Sequence, residues 1–232
     1  MLLTISTTLR IYAESSILQQ VDYNANNYMS GILGEKDITV VLVHGYKDSS
    51  NGGIKTLKEA LDKNGYDCIL PDLAPNDASA GLIPLALQLK DNIDRHTQHK
   101  PLVIIGVSMG ALVSRYYMQE LGGHQKTAAF FSICGPHRGT LLALFFKNAG
   151  IRQMRPFSGF MRSLHSSLAK ISHIPTVCYW KCFDKVIIPW SSSRIGIGEN
   201  VRIKSRLHRT VVREQQLHSD ILKRLEKLTC QH

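Results

Sequence analysis

The sequence predicts an α/β protein, a mostly parallel central sheet with helices on both faces. Three observations carry that expectation. Short, mostly uncharged runs rich in β-branched residues recur at 38–43, 66–70, 102–105, 127–133 and 176–183. Their apolar residues are continuous rather than alternating, the pattern of strands buried on both faces. Stretches with helical spacing separate most of them, and Tyr46, Asp72, Ser108 and Gly135 all fall just past strand ends. Sheets of this kind bind ligands beyond the carboxyl ends of their strands.

Bulk properties narrow the class. A chain of 232 residues with 44% hydrophobic and 20% charged residues is an ordinary globular protein, and one domain is the default. The uncharged stretch around the core strand, Pro101 to Ser114, falls short of the ~20 apolar residues needed to cross a bilayer. Met1 to Thr8 carries no basic residue ahead of its apolar part, so no secretory leader is expected and the chain reads as cytoplasmic. Its five cysteines include no Cys-x-x-Cys pair. Cys178 and Cys182 would lie about 13 Å apart along one strand, against the ~7 Å limit of a disulfide, so reduced thiols are expected. The net charge of +10 is spread along the chain without a recognised nucleic-acid-binding fold, so nucleic acid is set aside. Transient, peripheral contact with an anionic membrane and a merely soluble basic surface both remain.

In chain order, residues 1–37 form an N-terminal extension packed on the domain, with no chemistry assigned. The domain proper covers 38–232. Ile38 to Val43 is a buried strand running into His44-Gly45-Tyr46 and a polar loop. A helix over 54–64 stops at Gly65, and a strand over 66–70 is closed by Pro71-Asp72-Leu73. A helix over 81–95 carries Pro84 in its first turn, where proline is tolerated. Strand 102–105 enters Gly106-Val107-Ser108-Met109-Gly110, and helical spacing follows through Leu121. Strand 127–133 ends in Cys134-Gly135-Pro136-His137-Arg138-Gly139-Thr140.

Residues 141–172 read as a small helical, cap-like insertion. There Leu, Phe and Met alternate with Lys147, Arg152, Arg155 and Arg162. The pattern fits amphipathic helices packed on the sheet, or an apolar, cationic rim that receives acyl chains or meets anionic lipid. After strand 176–183, residues 201–208 alternate apolar with basic, as an edge strand guarded by like charges would. A helix over 219–228 ends the chain.

Strand, Gly-x-Ser-x-Gly, helix is the context of a nucleophile elbow. The turn is so tight that Ser108 must take a strained backbone, and Gly106 and Gly110 let strand and helix approach around it. A serine hydroxyl is a poor nucleophile until a histidine removes its proton and an acid orients that histidine. Asp184, just past a late strand, and His218, ahead of the last helix, are assigned those roles. Asp72 and Asp77 are the rival acids and His208 the rival base, whereas His44 and His137 read as loop braces.

These motifs resemble a small lipase or esterase of the α/β-hydrolase superfamily over about residues 38–230. Val41-Leu42-Val43-His44-Gly45-Tyr46 is similar to that family's strand and His-Gly segment, and Gly106 to Gly110 to its elbow. Residues 135–140 resemble the Pro-His-x-Gly-Ser/Thr turn of lipase-like and lipid-anchor-deacylase-like members. Asp184 with Val186 and Pro189 resembles the acid turn, and Leu217-His218-Ser219 the histidine loop. The order Ser, Asp, His also matches the family. Two departures stand out: Val107 where many members carry histidine, and no glycine in Val211 to Gln216 ahead of His218.

The resemblance implies an oxyanion hole from the backbone N–H groups of Tyr46 and Met109. It implies hydrolysis of carboxylic esters, lipid-like ones being favoured by the 141–164 segment, with neither an organic cofactor nor a metal. A thioesterase or acyltransferase using the same triad, or an inactive hydrolase-fold binding protein, are the alternatives.

Overall fold

The computed structural model describes residues 37–97 and 100–229. The N-terminal extension expected over 1–37 therefore lies, Asp37 apart, outside the described residues.

Six strands form one all-parallel sheet: β1 (Thr39–Val43), β2 (Asp67–Ile69), β3 (Leu102–Val107), β4 (Thr127–Ile133), β5 (Thr176–Trp180) and β6 (Glu199–Arg202). Their spatial order is β2-β1-β3-β4-β5-β6. The direction of winding reverses between β1 and β3, which pair from Thr39↔Leu102 to Val43↔Gly106. Their carboxyl ends therefore finish side by side at the crevice where such sheets hold ligands.

The period of two along each strand splits the core into two layers. Val41, Val43, Leu102 and Ile104 face α2 (Leu82–His96) and α3 (Met109–Glu120). Val40, Leu42, Val103 and Ile105 face α1 (Lys55–Lys63) and the last helix, α6 (Gln215–Thr229). Both faces are dry, so the near-continuous apolar strands have a physical cause.

Between β4 and β5, residues 141–171 form a 3-10 turn (Leu141–Phe145), α4 (Ala149–Gln153), α5 (Gly159–Ser166) and a second 3-10 turn (Leu168–Ile171). Asn148 and Ser158 cap α4 and α5 by accepting the N–H groups of Ile151 and Met161, both at 3.2 Å. Ile151, Met154, Phe160, Met161 and Leu164 join the α2/α3 layer. Arg115, fully buried in α3, ties this segment down. It donates to Leu164 O at 2.7 Å, His137 O at 3.3 Å and Gln119 Oε1 at 2.9 Å. Burial lowers its pKa to about 10.

Three boundaries differ from expectation by three or more residues. The strand expected over 176–183 stops at Trp180, so Cys182 lies in the turn beyond it rather than in one strand with Cys178. The basic alternating stretch 201–208 is strand only to Arg202. Beyond buried Ile203 the alternation finds no apolar cover, and Leu207 is 62% exposed. The last helix begins at Gln215 rather than Ser219, because Leu217 extends the buried i, i+4 seam of Ile221 and Leu225 by one turn.

Candidate active site

Ser108 joins β3 to α3 with φ 52° and ψ −116°, a conformation that opposes any side chain and costs on the order of 1–3 kcal/mol. Close approach of backbone explains both flanking glycines. A Cβ on Gly110 would stand 2.3 Å from Val43 O, and one on Gly106 2.6 Å from Ala111 Cα. The elbow is thus wedged between β1 and its own helix, with the hydroxyl above the sheet rim.

That hydroxyl meets His208, not His218. Ser108 Oγ lies 2.9 Å from His208 Nε2, and His208 Nδ1 lies 2.7 Å from Asp184 Oδ2. The other Asp184 oxygen accepts the N–H groups of Val186 at 2.8 Å and Ile187 at 3.1 Å. Burial pushes the Asp184 carboxyl up, but the hydrogen bond and charge of His208 and the two backbone N–H groups outweigh it. The net result lies below the usual carboxylate range. Asp184 is therefore a carboxylate that fixes the imidazole tautomer, with Nδ1–H donating to it and Nε2 facing the Ser108 hydroxyl.

The assignment of His218 is corrected by this geometry. Because α6 starts early, His218 sits within its first turn, and its Nε2 donates to Val212 O at 2.8 Å. His208 opens a 3-10 turn (His208–Arg213) after the chain has left β6. It belongs to a loop beyond a strand's carboxyl end, whereas the alternating pattern of 201–208 predicts a strand there. The rival acids are engaged elsewhere: Asp72 accepts from the N–H and hydroxyl of Ser50, and Asp77 from Ser79 N–H. His44 braces its loop, Nε2 accepting Leu73 N–H at 3.0 Å and Nδ1 lying 3.0 Å from Gly45 O. His137 lies 2.7 Å from Ser132 Oγ through Nε2 and is buried, which drives its pKa well down and keeps it neutral.

Cys134, Asp184 and His208 place donor atoms within 4.8 Å of one another. A metal at that point would have to displace the hydrogen bonds of the relay. Burial also raises the Cys134 thiol above its usual range, so it stays protonated. The sequence offered no signal for this neighbour of the relay beyond its place at the end of β4.

Beside Ser108 lies a cavity of about 120 Å³ lined mainly by apolar side chains, among them Leu142, Ala143, Phe146, Ile151, Met154 and Ile187. Tyr46 and Met109 line it too. Met109 is the first residue of α3, so its N–H has no intrahelical acceptor. The Tyr46 N–H makes no backbone hydrogen bond among the described residues. Both residues share the lining of this cavity with Ser108.

A doubly covered parallel sheet with a strained serine elbow at its switch point defines an α/β hydrolase. The family described as alpha/beta hydrolase fold matches residues 38–171, more than half of the chain, and the chain belongs to it. Comparison with curated protein sequences found no significant match. Among solved structures, the chain is similar to a mature lipase of Bacillus licheniformis (TM-score 0.63, 17% identity, covering 81% of this chain and 91% of that one). It is also similar to mouse alpha/beta hydrolase domain-containing protein 10 (TM-score 0.59, 15% identity, 82% and 90% covered). A third is tomato methylketone synthase I in complex with 2-tridecanone (TM-score 0.60, 13% identity, 82% and 98% covered). Identities this low carry the fold and nothing finer. No helix among the described residues is long and apolar enough to cross a membrane.

Proposed function

We propose that the protein is a serine hydrolase that cleaves carboxylic esters of apolar acyl groups through an acyl-enzyme. The reading is carried by the continuous hydrogen-bonded line from Ser108 through His208 to Asp184. Ser108 Oγ attacks the ester carbonyl carbon while His208 Nε2 takes its proton. The carbonyl oxygen, now negative, is held by the N–H groups of Met109 and Tyr46, each worth about 3 kcal/mol in the transition state. Collapse breaks the bond to the alcohol oxygen, and His208 returns its proton to that leaving group. Water then adds to the acyl carbon, losing its proton to His208, and the acid departs as Ser108 regains its proton. Asp184 remains ionised throughout and steadies the imidazolium.

The cavity sets the acyl preference. An engineered cavity of about 150 Å³ in another protein takes up benzene, so about 120 Å³ accommodates four to six carbons, as a rough estimate. Longer chains would run out past Phe146. The test is hydrolysis of p-nitrophenyl esters of graded acyl length. Butyrate and hexanoate should exceed acetate in kcat/KM. Activity confined to acetate would remove the apolar-acyl preference, and no hydrolysis of any member would remove the ester hydrolase itself.

A further inference from the structure

Of the ten large apolar side chains exposed among the described residues, all but Leu87 lie in 141–157, 183–188 or at 207. These segments follow β4, β5 and β6, so in an all-parallel sheet they crown the same edge as Ser108. Phe157 and Phe183 stand out. Each is 84% exposed, and each holds a left-handed backbone, φ 60° and 53°. That region opposes bulky side chains, and neither ring recovers the cost by burial within this chain.

Both rings sit in cationic collars. Phe157 lines a groove with Arg152 and Arg155, and Arg162 donates to its carbonyl at 2.6 Å. Phe183 lines another with Arg202, Lys204 and Arg206, Glu214 being the single acid there. Residues 121–183 contain eight Lys or Arg and neither Asp nor Glu, so nothing in that segment offsets the charge. The segments bearing the two rings are also those that wall the Ser108 cleft, through Ile151 and Met154 on one hand and Val186 and Ile187 on the other.

A surface that is negative outside and apolar a few ångströms deeper matches both properties together, and an anionic bilayer has that structure. An acidic protein or a nucleic acid would answer the charge but offer no apolar depth to Leu144, Ile188 and the two rings. We propose that the protein docks on anionic lipid by inserting Phe157 and Phe183, with the surrounding arginines and lysines at headgroup level and the Ser108 cleft facing the bilayer. Docking stands apart from catalysis. It rests on the hydrolase reading only for the further step that the ester is drawn from that surface.

The test is co-sedimentation with phosphatidylcholine vesicles with and without phosphatidylserine, at low and high salt. Asparagine tolerates a left-handed backbone, so Phe157→Asn and Phe183→Asn remove the rings without disturbing the fold. The protein should pellet with serine-containing vesicles at low salt and much less at high salt or with phosphatidylcholine alone. Each asparagine variant should bind about tenfold more weakly, and Arg152→Gln or Lys204→Gln about fivefold. Ser108→Ala should bind as the unmodified chain does, so docking survives even if ester hydrolysis is never found. Three results would overturn the proposal: no pelleting with anionic vesicles, pelleting indifferent to both asparagine substitutions, or self-association without lipid that those substitutions abolish. The last would show that a second copy covers this face.

Discussion

The elbow and the histidine loop meet at one hydrogen bond yet are held in place by different physics. Around Ser108, backbone crowds backbone: β1, β3 and α3 leave no room for a Cβ at residues 106 and 110. Around His208 the chain runs through cation-rich residues 202–209, with Leu207 largely in water. The imidazole is registered by hydrogen bonds to Asp184 and Ser108. Ser108 is placed by steric exclusion, His208 by polar contact.

That contrast can be broken at several points. The largest effect should come from His208→Ala, which removes the base and should lower kcat by about 10⁶, whereas His218→Ala should change kcat by no more than about twofold. The latter loses a single brace to Val212, about 1 kcal/mol of stability by urea unfolding. Asp184→Asn leaves the loop in place but presents the wrong partner to Nδ1, and should lower kcat by about 10⁴. Gly110→Ala should lower stability by about 3 kcal/mol and Tm by roughly 6–12 °C. Arg206→Ala in the histidine loop should stay within about 0.5 kcal/mol.

The smallest effect concerns acid. Asp184 titrates below its ordinary range when folded, so its contribution to stability is complete above the unfolded value of about 3.9 and is lost as pH falls through the lower, folded value. Unfolding free energies measured between neutral pH and about pH 3 should decline less for Asp184→Asn than for the unmodified chain.

The same contrast explains what the sequence could disclose. Steric rules are local, so Gly106, Ser108 and Gly110 announce themselves in five consecutive residues, and the buried runs of β1, β3 and β4 mark a doubly covered sheet. Asp184 is legible because it falls in the turn shortly after the apolar run of β5. His208 is visible in the sequence only as the rival base, since its neighbours alternate apolar and basic residues as an edge strand does, and only the absence of apolar cover beyond Ile203 ends that strand. His218 reads as the base because it precedes the helix expected from Ser219, whereas the true first residue, Gln215, is marked by nothing more than buried Leu217. The apolar residues of 141–172 foretold both destinations, core and surface, without assigning them. Only coordinates separate Phe160, packed inward, from Phe157, which faces water.

The central claim is that His208 activates Ser108, and labelling by a fluorophosphonate, which reacts with an activated serine, tests it most directly. Unmodified protein and His218→Ala should label at closely similar rates, and His208→Ala and Ser108→Ala should remain unlabelled. Rapid labelling of His208→Ala together with loss of labelling in His218→Ala would contradict the account.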